Sequence, residues 1–259
     1  TTTTTEARIA ITIAAVGDVL PHDAIVASAL DSETGSYDFR PLFAPVASYL
    51  SRADYAVSNL ETRLAGAENG YTGYPLLNSP LSLAYALKMA GLDLVATANN
   101  HALDQGGEGL AITLEQLDQI GLPHVGTYRS AKERATPFIA NIKGIKVAFL
   151  NYADWLNGLS PPEGQELYAV ATLDVDSVAR DAAIARMWGA EIVIALLHWG
   201  DEYERTPNET QLEIAEVILS RGVDVILGSH PHMIQPIEHV LEYEDWRIKD
   251  KYVVYSLGN

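Results

Sequence analysis

Residues 223–232 read Val223-Asp224-Val225-Ile226-Leu227-Gly228-Ser229-His230-Pro231-His232. The first five are typical of a buried strand, and Gly222 before them marks the end of a preceding helix. Pro231 restrains the following turn, so that the imidazoles of His230 and His232 can face adjacent ligand positions. A chance pair of histidines is the alternative. The stretch predicts a strand that delivers two histidines to one end of a sheet.

The rest of the chain repeats this alternation of helix, glycine and apolar strand, which is the pattern of a layered α/β fold. Further strands are predicted at 9–16, 55–58, 92–96, 191–197 and 252–256, with a hairpin over 138–142 and 146–151. Helices are predicted from Ser79-Pro80 to Gly91, over 107–120 and 174–188, and from Thr206 to Gly222 with the Thr206 to Glu209 spacing of a capping box. No repeat or internal linker is visible, so residues 7–259 are predicted to form one domain.

The composition excludes several classes of protein. In 259 residues, 17 Lys and Arg oppose 34 Asp and Glu, and the resulting charge of −17 argues against a nucleic-acid or anionic-membrane surface. No apolar run approaches the roughly 18 residues of a transmembrane segment. Because the chain has no cysteine and no Gly-x-Ser-x-Gly motif, cysteine and serine hydrolases are disfavoured. Any metal must therefore be bound by His, Asp, Glu or Asn.

Polar side chains follow five of the predicted strands. The clusters are Gly17-Asp18 with His22, Asn59-Leu60-Glu61, Asn99-Asn100-His101, His198-Trp199-Gly200 and the histidines of 228–232. Because ligand sites of parallel α/β sheets form beyond the carboxyl ends of the strands, these clusters are expected to converge on one rim. The rim contains five of the seven histidines. A set of His, Asn and carboxylate groups without thiolate suits Mn²⁺, Fe or Zn²⁺, with enough ligands for two ions.

Each cluster also has an explanation that needs no ligand. Asp18 after a glycine fits a turn former or helix cap, and Asn99-Asn100 fit turn residues that tolerate left-handed backbone angles. Glu61 fits a solvated loop acid, and His198 fits a structural histidine with satisfied hydrogen bonds.

Further candidates lie beside the clusters. Asp104 either caps the next helix or orients His101 as a supporting carboxylate. Gly106-Gly107 lacks the Lys and Ser/Thr of a phosphate loop and is interpreted as a helix start. Glu202 belongs to an acidic loop or to the site, and Gln235 belongs to the site or to a strand after His232.

In this order the clusters resemble the CapA/PgsA family of capsule and poly-γ-glutamate biosynthesis proteins, which have a calcineurin-like metallophosphatase fold. The resemblance runs through six blocks across nearly the whole chain, namely Gly17-Asp18, Asn59-Leu60-Glu61, Asn99-Asn100-His101 with Asp104 and Gly106, His198-Trp199-Gly200 with Glu202, Gly228-Ser229-His230-Pro231-His232 with Gln235, and Ser256-Leu257-Gly258-Asn259. It implies a four-layer α/β/β/α sandwich of the calcineurin-like metallophosphoesterase type, whose rim holds two divalent metal ions.

The resemblance also implies a role for each matching residue. Asp18 and His232 correspond to ligands of the first metal, Glu61 to the bridging carboxylate, and Asn100, His198 and His230 to ligands of the second, while His101, with Asp104, corresponds to the acid that protonates the leaving oxygen. Two positions depart from the phosphatase superfamily. His22 stands four residues after Asp18, where an Asp-x-His motif is usual, and Glu61 after Asn59 stands where an Asp in a Gly-Asp setting is usual.

Two functions are compatible with this resemblance. One is a metal-dependent hydrolase of phosphoester type, acting on a phosphoester or on an amide of an anionic γ-glutamyl polymer. The alternative is a non-catalytic, metal-binding accessory subunit of a membrane polymer synthase or export complex. The family implies a cell-surface location with an amino-terminal anchoring segment absent from this chain. Residues 1–6 then represent a linker remnant or an arbitrary chain boundary, and a further carboxyl-terminal part is expected after Asn259.

Overall fold

The structure is a computed structural model that describes residues 9–244 and 247–259, so the predicted linker at 1–6 lies outside the described residues. The strands are β1 (Ile13–Val19), β2 (Tyr55–Leu60), β3 (Leu94–Ala96), β4 (His124–Val125), β5 (Phe138–Ile142), β6 (Ile145–Ala153), β7 (Ile192–His198), β8 (Val225–Ser229), β9 (Ile237–Glu244) and β10 (Arg247–Val254). The helices are α1 (Asp23–Ser28), α2 (Arg40–Leu50), α3 (Ser82–Ala90), α4 (Gly106–Ile120), α5 (Ala131–Arg134), α6 (Val175–Met187) and α7 (Glu209–Ser220).

The strands form two sheets. The first has the order β1-β2-β3-β4 and is parallel throughout. The second has the order β5-β6-β7-β8-β10-β9, with a parallel centre and an antiparallel pair at each edge. Parallel neighbours need crossover connections. Helices α3 and α4 lie in two of those of the first sheet and α6 and α7 in two of those of the second, and these helices cover the outer faces of the sheets.

Apolar side chains of the two sheets meet face to face. Val57 and Leu94 of the first sheet share a buried cluster with Phe149 and Ile194 of the second. A second cluster packs α3 and α4 on the outer face of the first sheet, and a third packs α6 and α7 on the outer face of the second. The predicted four-layer α/β/β/α sandwich is therefore confirmed.

Two site residues that were predicted to follow strands lie within those strands. β1 begins at residue 13 rather than 9 and continues to Val19, so Asp18 lies within the strand, and β2 continues to Leu60, so Asn59 does too. The register between β1 and β2 shifts between Ala15 and Asp18, after which Asp18 pairs with Asn59. The shift places the two side chains at neighbouring positions on the rim.

Two predicted helix starts were wrong. α3 begins at Ser82, because the hydroxyl of Ser79 bonds Thr62 and does not cap the helix. The capping box of α7 is formed by Asn208 and Gln211, two residues after the predicted pair, because Asn208 takes the extended backbone angles that an N-cap requires.

Several elements were not predicted. α2 contains Pro45, which interrupts the helical pattern in the sequence, and β4 has only two residues. The described residues include no helix with the length and apolar character needed to cross a bilayer.

Candidate metal centre

The carboxyl ends of five strands from both sheets meet at one rim. β1 and β2 bring Asp18 and Asn59, and the turn after β3 brings Asn100. β7 ends at His198, and β8 ends at Ser229, directly before His230. The parallel pairing of β7 with β8 places His198 opposite Ser229.

His198 lies at the centre of this arrangement and is fully buried. Its Nδ1 lies 3.2 Å from the amide nitrogen of Asn59 and 3.0 Å from the hydroxyl of Ser229. Its Nε2 lies 2.9 Å from Oδ1 of Asn100 and 3.6 Å from Oε1 of Glu61. The Nε2 side of the ring faces these two oxygen atoms, and Nε2 can bind a metal in the tautomer that carries its proton on Nδ1, where the Ser229 hydroxyl can accept it. An imidazole nitrogen, an amide oxygen and a carboxylate oxygen converge there, which is a donor set suited to a divalent transition metal.

Asp18 occupies the neighbouring position and links the two sheets. Its Oδ1 accepts a hydrogen bond of 2.7 Å from the Asn59 amide, and its Oδ2 accepts one of 3.1 Å from the backbone N–H of His230. Nδ1 of His232 lies 3.2 Å from the same Oδ2 and 2.9 Å from Oδ1 of Asn259. Two other segments of the chain, at Asn59 and at 230–232, therefore fix this one carboxylate, and Asn259 supports His232 from a third.

Among the candidate metal ligands of the described residues, two buried atoms have no hydrogen-bond partner, Oε1 of Glu61 and Nδ1 of His230. Buried polar atoms without a partner cost free energy, and a cation is one means of satisfying them. Glu61, His230 and His232 form one group whose ligand atoms lie within 4.8 Å of one another, and Asp18, Glu61 and His198 form another. Glu61 is common to both groups, so the residues fit two cations that share one carboxylate.

Burial determines the charge state of these groups. It raises the pKa of Glu61 well above its ordinary value, and the charge of Asp18 adds to the rise. Burial also acts to raise the pKa of Asp18, but the hydrogen bonds from His232 and Asn59 outweigh it, so this pKa is lowered. Burial lowers the pKa of both His198 and His230, which keeps these rings neutral. Neutral imidazole and ionised carboxylate are the forms that bind metal.

His101 and Asp104 form a buried pair beside this cluster. Nδ1 of His101 lies 2.6 Å from Oδ2 of Asp104, which also accepts a hydrogen bond of 2.7 Å from the backbone N–H of Leu77. The N-cap of α4 is Gln105, so Asp104 does not cap the helix. Of the two alternatives for Asp104, the structure favours the carboxylate that orients His101.

Asn59 lies within the cluster as a hydrogen-bond donor. Its amide nitrogen faces Asp18, Glu61 and His198, and its Oδ1 accepts a hydrogen bond of 3.1 Å from Asn99. The amide therefore positions the carboxylate and the imidazole and does not present its oxygen to a metal.

The other candidates lie outside the two groups. The ring of His22 stacks on Tyr74 at 6.2 Å, away from the convergent ligand atoms. Gln235 donates to backbone carbonyls of Glu204 and Thr206, and so braces a loop. Glu202 is exposed and lines the cleft that opens onto the site.

The segment after β6 was missed in the sequence. Asp154 and Trp155 follow the carboxyl end of this strand and line the cleft, and Asn157 accepts a hydrogen bond of 3.2 Å from Asn100. The sequence could have indicated this segment, because the rule that locates the other clusters at the carboxyl ends of strands applies to β6 as well. The hairpin strand was predicted to end at Asn151, two residues before its observed end at Ala153.

The sequence model of the bacterial capsule synthesis protein family PGA_cap matches residues 12–259. The chain belongs to this family. The match includes every residue of the candidate metal centre, from Asp18 to Asn259. The resemblance to CapA proteins drawn from the six sequence blocks is thereby confirmed.

Comparison with individual proteins agrees with this assignment. The PGA_cap chain is 27% identical over 229 residues to the capsule biosynthesis protein CapA of Bacillus anthracis, which covers 84% of this chain and 53% of the relative. It spans about half the length of the curated relatives that it matches.

Solved structures share the fold of this PGA_cap chain. The NAD nucleotidase NadN of Haemophilus influenzae superposes with a TM-score of 0.56 at 14% identity, covering 96% of this chain and 45% of that one. The calcineurin-like phosphoesterase YfkN of Bacillus subtilis superposes with a TM-score of 0.50 at 15% identity, covering 93% of this chain and 89% of that one. At such identities the likeness shows the fold alone, which is that of the calcineurin-like phosphoesterases and 5'-nucleotidases.

Proposed function

We propose that this PGA_cap domain is a metal-dependent hydrolase of phosphoester type that works with two divalent cations, Mn²⁺, Fe²⁺ or Zn²⁺. The observation that carries the proposal is the position of Glu61, which has an unpartnered carboxylate oxygen and belongs to both groups of convergent ligands. In these groups Asp18 and His198 would hold one cation, with the Asn100 oxygen beside Nε2 of His198, His230 and His232 would hold the other, and Glu61 both. The resemblance implies a different division, with His232 beside Asp18 and His198 beside His230. Bound at such a site, a pair of cations supplies Lewis-acid chemistry that activates water and stabilises negative charge on a phosphoryl group.

The protein's own residues supply the remaining functions. Asn59 and Ser229 fix the ring of His198 by contacts to its Nδ1, which leaves Nε2 directed at Asn100 and Glu61. The carboxylate of Asp104 fixes Nδ1 of His101, so the Nε2 side of that ring is left to hold and transfer a proton. His101 lines the cleft and would protonate the leaving oxygen as general acid.

We also propose a setting for this activity. Membership of the capsule synthesis family supports a role at the cell surface, beside membrane subunits of a polymer synthase, with an anionic polymer or a phosphoester as substrate. A domain of charge −17 repels a polyanion at long range, so bound cations would be needed where such a chain reaches the rim.

The direct test is metal-dependent turnover. Protein purified without chelator and loaded with Mn²⁺ is assayed on p-nitrophenyl phosphate, bis(p-nitrophenyl) phosphate and a γ-glutamyl p-nitroanilide. We expect hydrolysis of a phosphoester that EDTA abolishes, and a fall of about 10²–10⁴-fold in kcat for His101→Asn with unchanged metal content. Metal binding without turnover of any of the three substrates would contradict the hydrolase and favour the non-catalytic accessory subunit.

A further inference from the structure

A cleft of about 750 Å³ opens directly onto the candidate metal centre. His101 and His230 both line it, and His230 is buried with its Nδ1 unpartnered. A phosphoryl group at the rim would therefore leave the rest of its molecule in this cleft. A volume of this size accommodates a ring-sized group beyond the phosphate.

Two aromatic side chains line the cleft with much of their surface exposed. Tyr74 is 67% exposed and lies edge-on to the ring of His101 at 6.5 Å, and Trp155 is 46% exposed and lies edge-on to the ring of His230 at 5.8 Å. Large aromatic groups left exposed in a concave site are typical of ligand-contacting positions, since they offer wide stacking surfaces at low entropic cost.

The remaining charged residues of the cleft are all acidic. Asp154, Asp201 and Glu202 are exposed on its walls, and no lysine or arginine of the described residues lines it. Such walls repel an anionic group and attract a cationic one at distances within the screening length of about 8 Å. Exposed aromatic faces add to the attraction of a cation.

We propose that this cleft selects phosphoesters whose alcohol portion carries a ring and a positive charge, with Tyr74 and Trp155 stacking on the ring and the acidic walls selecting the charge. The inference rests on the proposed function, because it takes the rim as the site of the phosphoryl group. It names the substrate class of that site. An uncharged ring is the second-best ligand, and a carboxylate-bearing ring is rejected.

The test uses phosphonates, which bind without being hydrolysed. The probes are 4-(aminomethyl)benzylphosphonate, benzylphosphonate, 4-carboxybenzylphosphonate and methylphosphonate, titrated calorimetrically into the Mn²⁺-loaded chain. We expect the cationic ring to bind at least about 10-fold more tightly than the neutral ring, and the neutral ring at least about 10-fold more tightly than either the anionic ring or methylphosphonate. Equal affinities, or binding of none of the four, would overturn the proposal.

Variants separate the two parts of the cleft. Asp154→Asn with Asp201→Asn and Glu202→Gln should reduce the preference for the cationic over the anionic ring to less than about 3-fold. The control Glu108→Gln with Glu115→Gln and Glu213→Gln changes the net charge equally, away from the cleft, and should preserve the preference. A lost preference in both triple variants would contradict a local role of the walls.

Single variants test the aromatic groups in the same titration. Tyr74→Ala and Trp155→Ala should each weaken binding of benzylphosphonate by about 5-fold or more without changing that of methylphosphonate, whereas Tyr49→Ala and Trp188→Ala, which are similarly exposed elsewhere, should change neither. Unchanged affinity in both cleft variants would refute the stacking role. If the phosphonates bind in the expected order while no phosphoester is hydrolysed, the proposed activity fails and the selectivity of the cleft stands.

Discussion

Glu61 holds a fully buried carboxylate next to that of Asp18, with one oxygen unpartnered. Burial and the charge of Asp18 raise its pKa, which means that the folded chain without metal is destabilised by ionising this group. The same arrangement becomes favourable when positive charge is present, because a divalent cation pairs with both carboxylates at once. The free-energy cost of ionising Glu61 without metal is therefore offset when a cation binds beside it.

Glu61→Gln should separate these two effects. We expect the variant to melt at the same or a higher temperature than the wild type in EDTA, because a buried repulsion is removed. We expect it to lose the stabilisation by Mn²⁺, which for the wild type is about 2.7 kcal/mol at a hundredfold excess over Kd. Differential scanning fluorimetry with and without Mn²⁺ measures both, with the exposed Glu108→Gln as control. A variant that keeps the full Mn²⁺-dependent rise in Tm contradicts the assignment.

Asp104→Asn should affect catalysis and leave metal binding intact. Its carboxylate contacts His101 and a backbone N–H, and neither metal-ligand group includes it. We expect kcat for a phosphoester to fall by about 10–100-fold with little change in KM and unchanged metal content, since the imidazole loses its orienting partner. Steady-state kinetics of the Mn²⁺-loaded variant provide the measurement. Wild-type kcat would show that the pair has no role in turnover.

At the scale of single residues, the sequence predicted which side chains lie at the rim but not how they face one another. Asp18, His198 and His230 could be located because each follows or ends a predicted strand. The direction of the Asn59 amide depends on contacts with Asp18, 41 positions away, and His198, 139 positions away. Such long-range contacts leave no trace in local spacing.

At the scale of elements, Asn151 of β6 connects the two sheets behind the metal centre. Its Oδ1 accepts hydrogen bonds of 3.0 and 2.7 Å from the backbone N–H groups of Thr97 and Ala98, and its amide donates to the carbonyls of Ala98 and Leu196. These contacts hold the segment between β3 and Asn100. The N–H of Thr97 also bonds the carbonyl of Val125 in β4, whereas the N–H of Ala98 is satisfied by the side chain of Asn151.

Asn151→Ala should therefore destabilise the fold and weaken the site together. Loss of the acceptor leaves the buried N–H of Ala98 unsatisfied, which costs about 1–3 kcal/mol. Urea unfolding measures the loss, and the exposed Asn141→Ala, which removes a single turn contact, should cost less than about 1 kcal/mol. Metal affinity of the folded Asn151→Ala fraction should also fall. A loss below that of Asn141→Ala would refute the bracing role.

His124 in β4 predicts part of the pH dependence of stability. Burial lowers its pKa, and the charge of Asp118 only partly opposes this. Since the unfolded chain binds a proton on this ring that the folded chain excludes, stability falls as the pH drops below about 6.5. His124→Gln should reduce the fall in Tm between about pH 7.5 and about pH 5.5. Thermal melts across this range test it, and a fall equal to that of the wild type would contradict it.

Elements differed in how far the sequence predicted them. Helices that end in glycine, such as α3 at Gly91 and α4 at Gly121, were predicted to within a few residues because the left-handed C-terminal position favours glycine. α2 was missed because Pro45 is unfavourable inside a helix and packing against α3 overrides that preference. β4 has only two residues, too few to show an alternation of apolar and polar side chains.

At the scale of the whole molecule, the alternation of strands and helices predicted a layered α/β fold. The family resemblance predicted that the fold has four layers. The order of strands in the two sheets could not be read from the sequence, because it depends on which crossovers are made and not on local pattern. The meeting of the polar clusters at one rim could be predicted, because any parallel arrangement brings the carboxyl ends of the strands to the same edge of the sheet. This is why most of the candidate site was located before its geometry was known.

The central claim is that this rim binds two divalent cations that share Glu61. The measurement that tests it most directly is the metal content of the chain, determined by plasma mass spectrometry after purification without chelator and loading with Mn²⁺, Zn²⁺ or Fe²⁺. Close to two ions per chain are predicted for the wild type and for His22→Ala, whose ring lies outside both ligand groups. Fewer than one is predicted for Glu61→Ala and about one or fewer for His230→Ala. Wild-type chain that retains no metal under any of the three loadings, or Glu61→Ala that retains two ions, would contradict the claim.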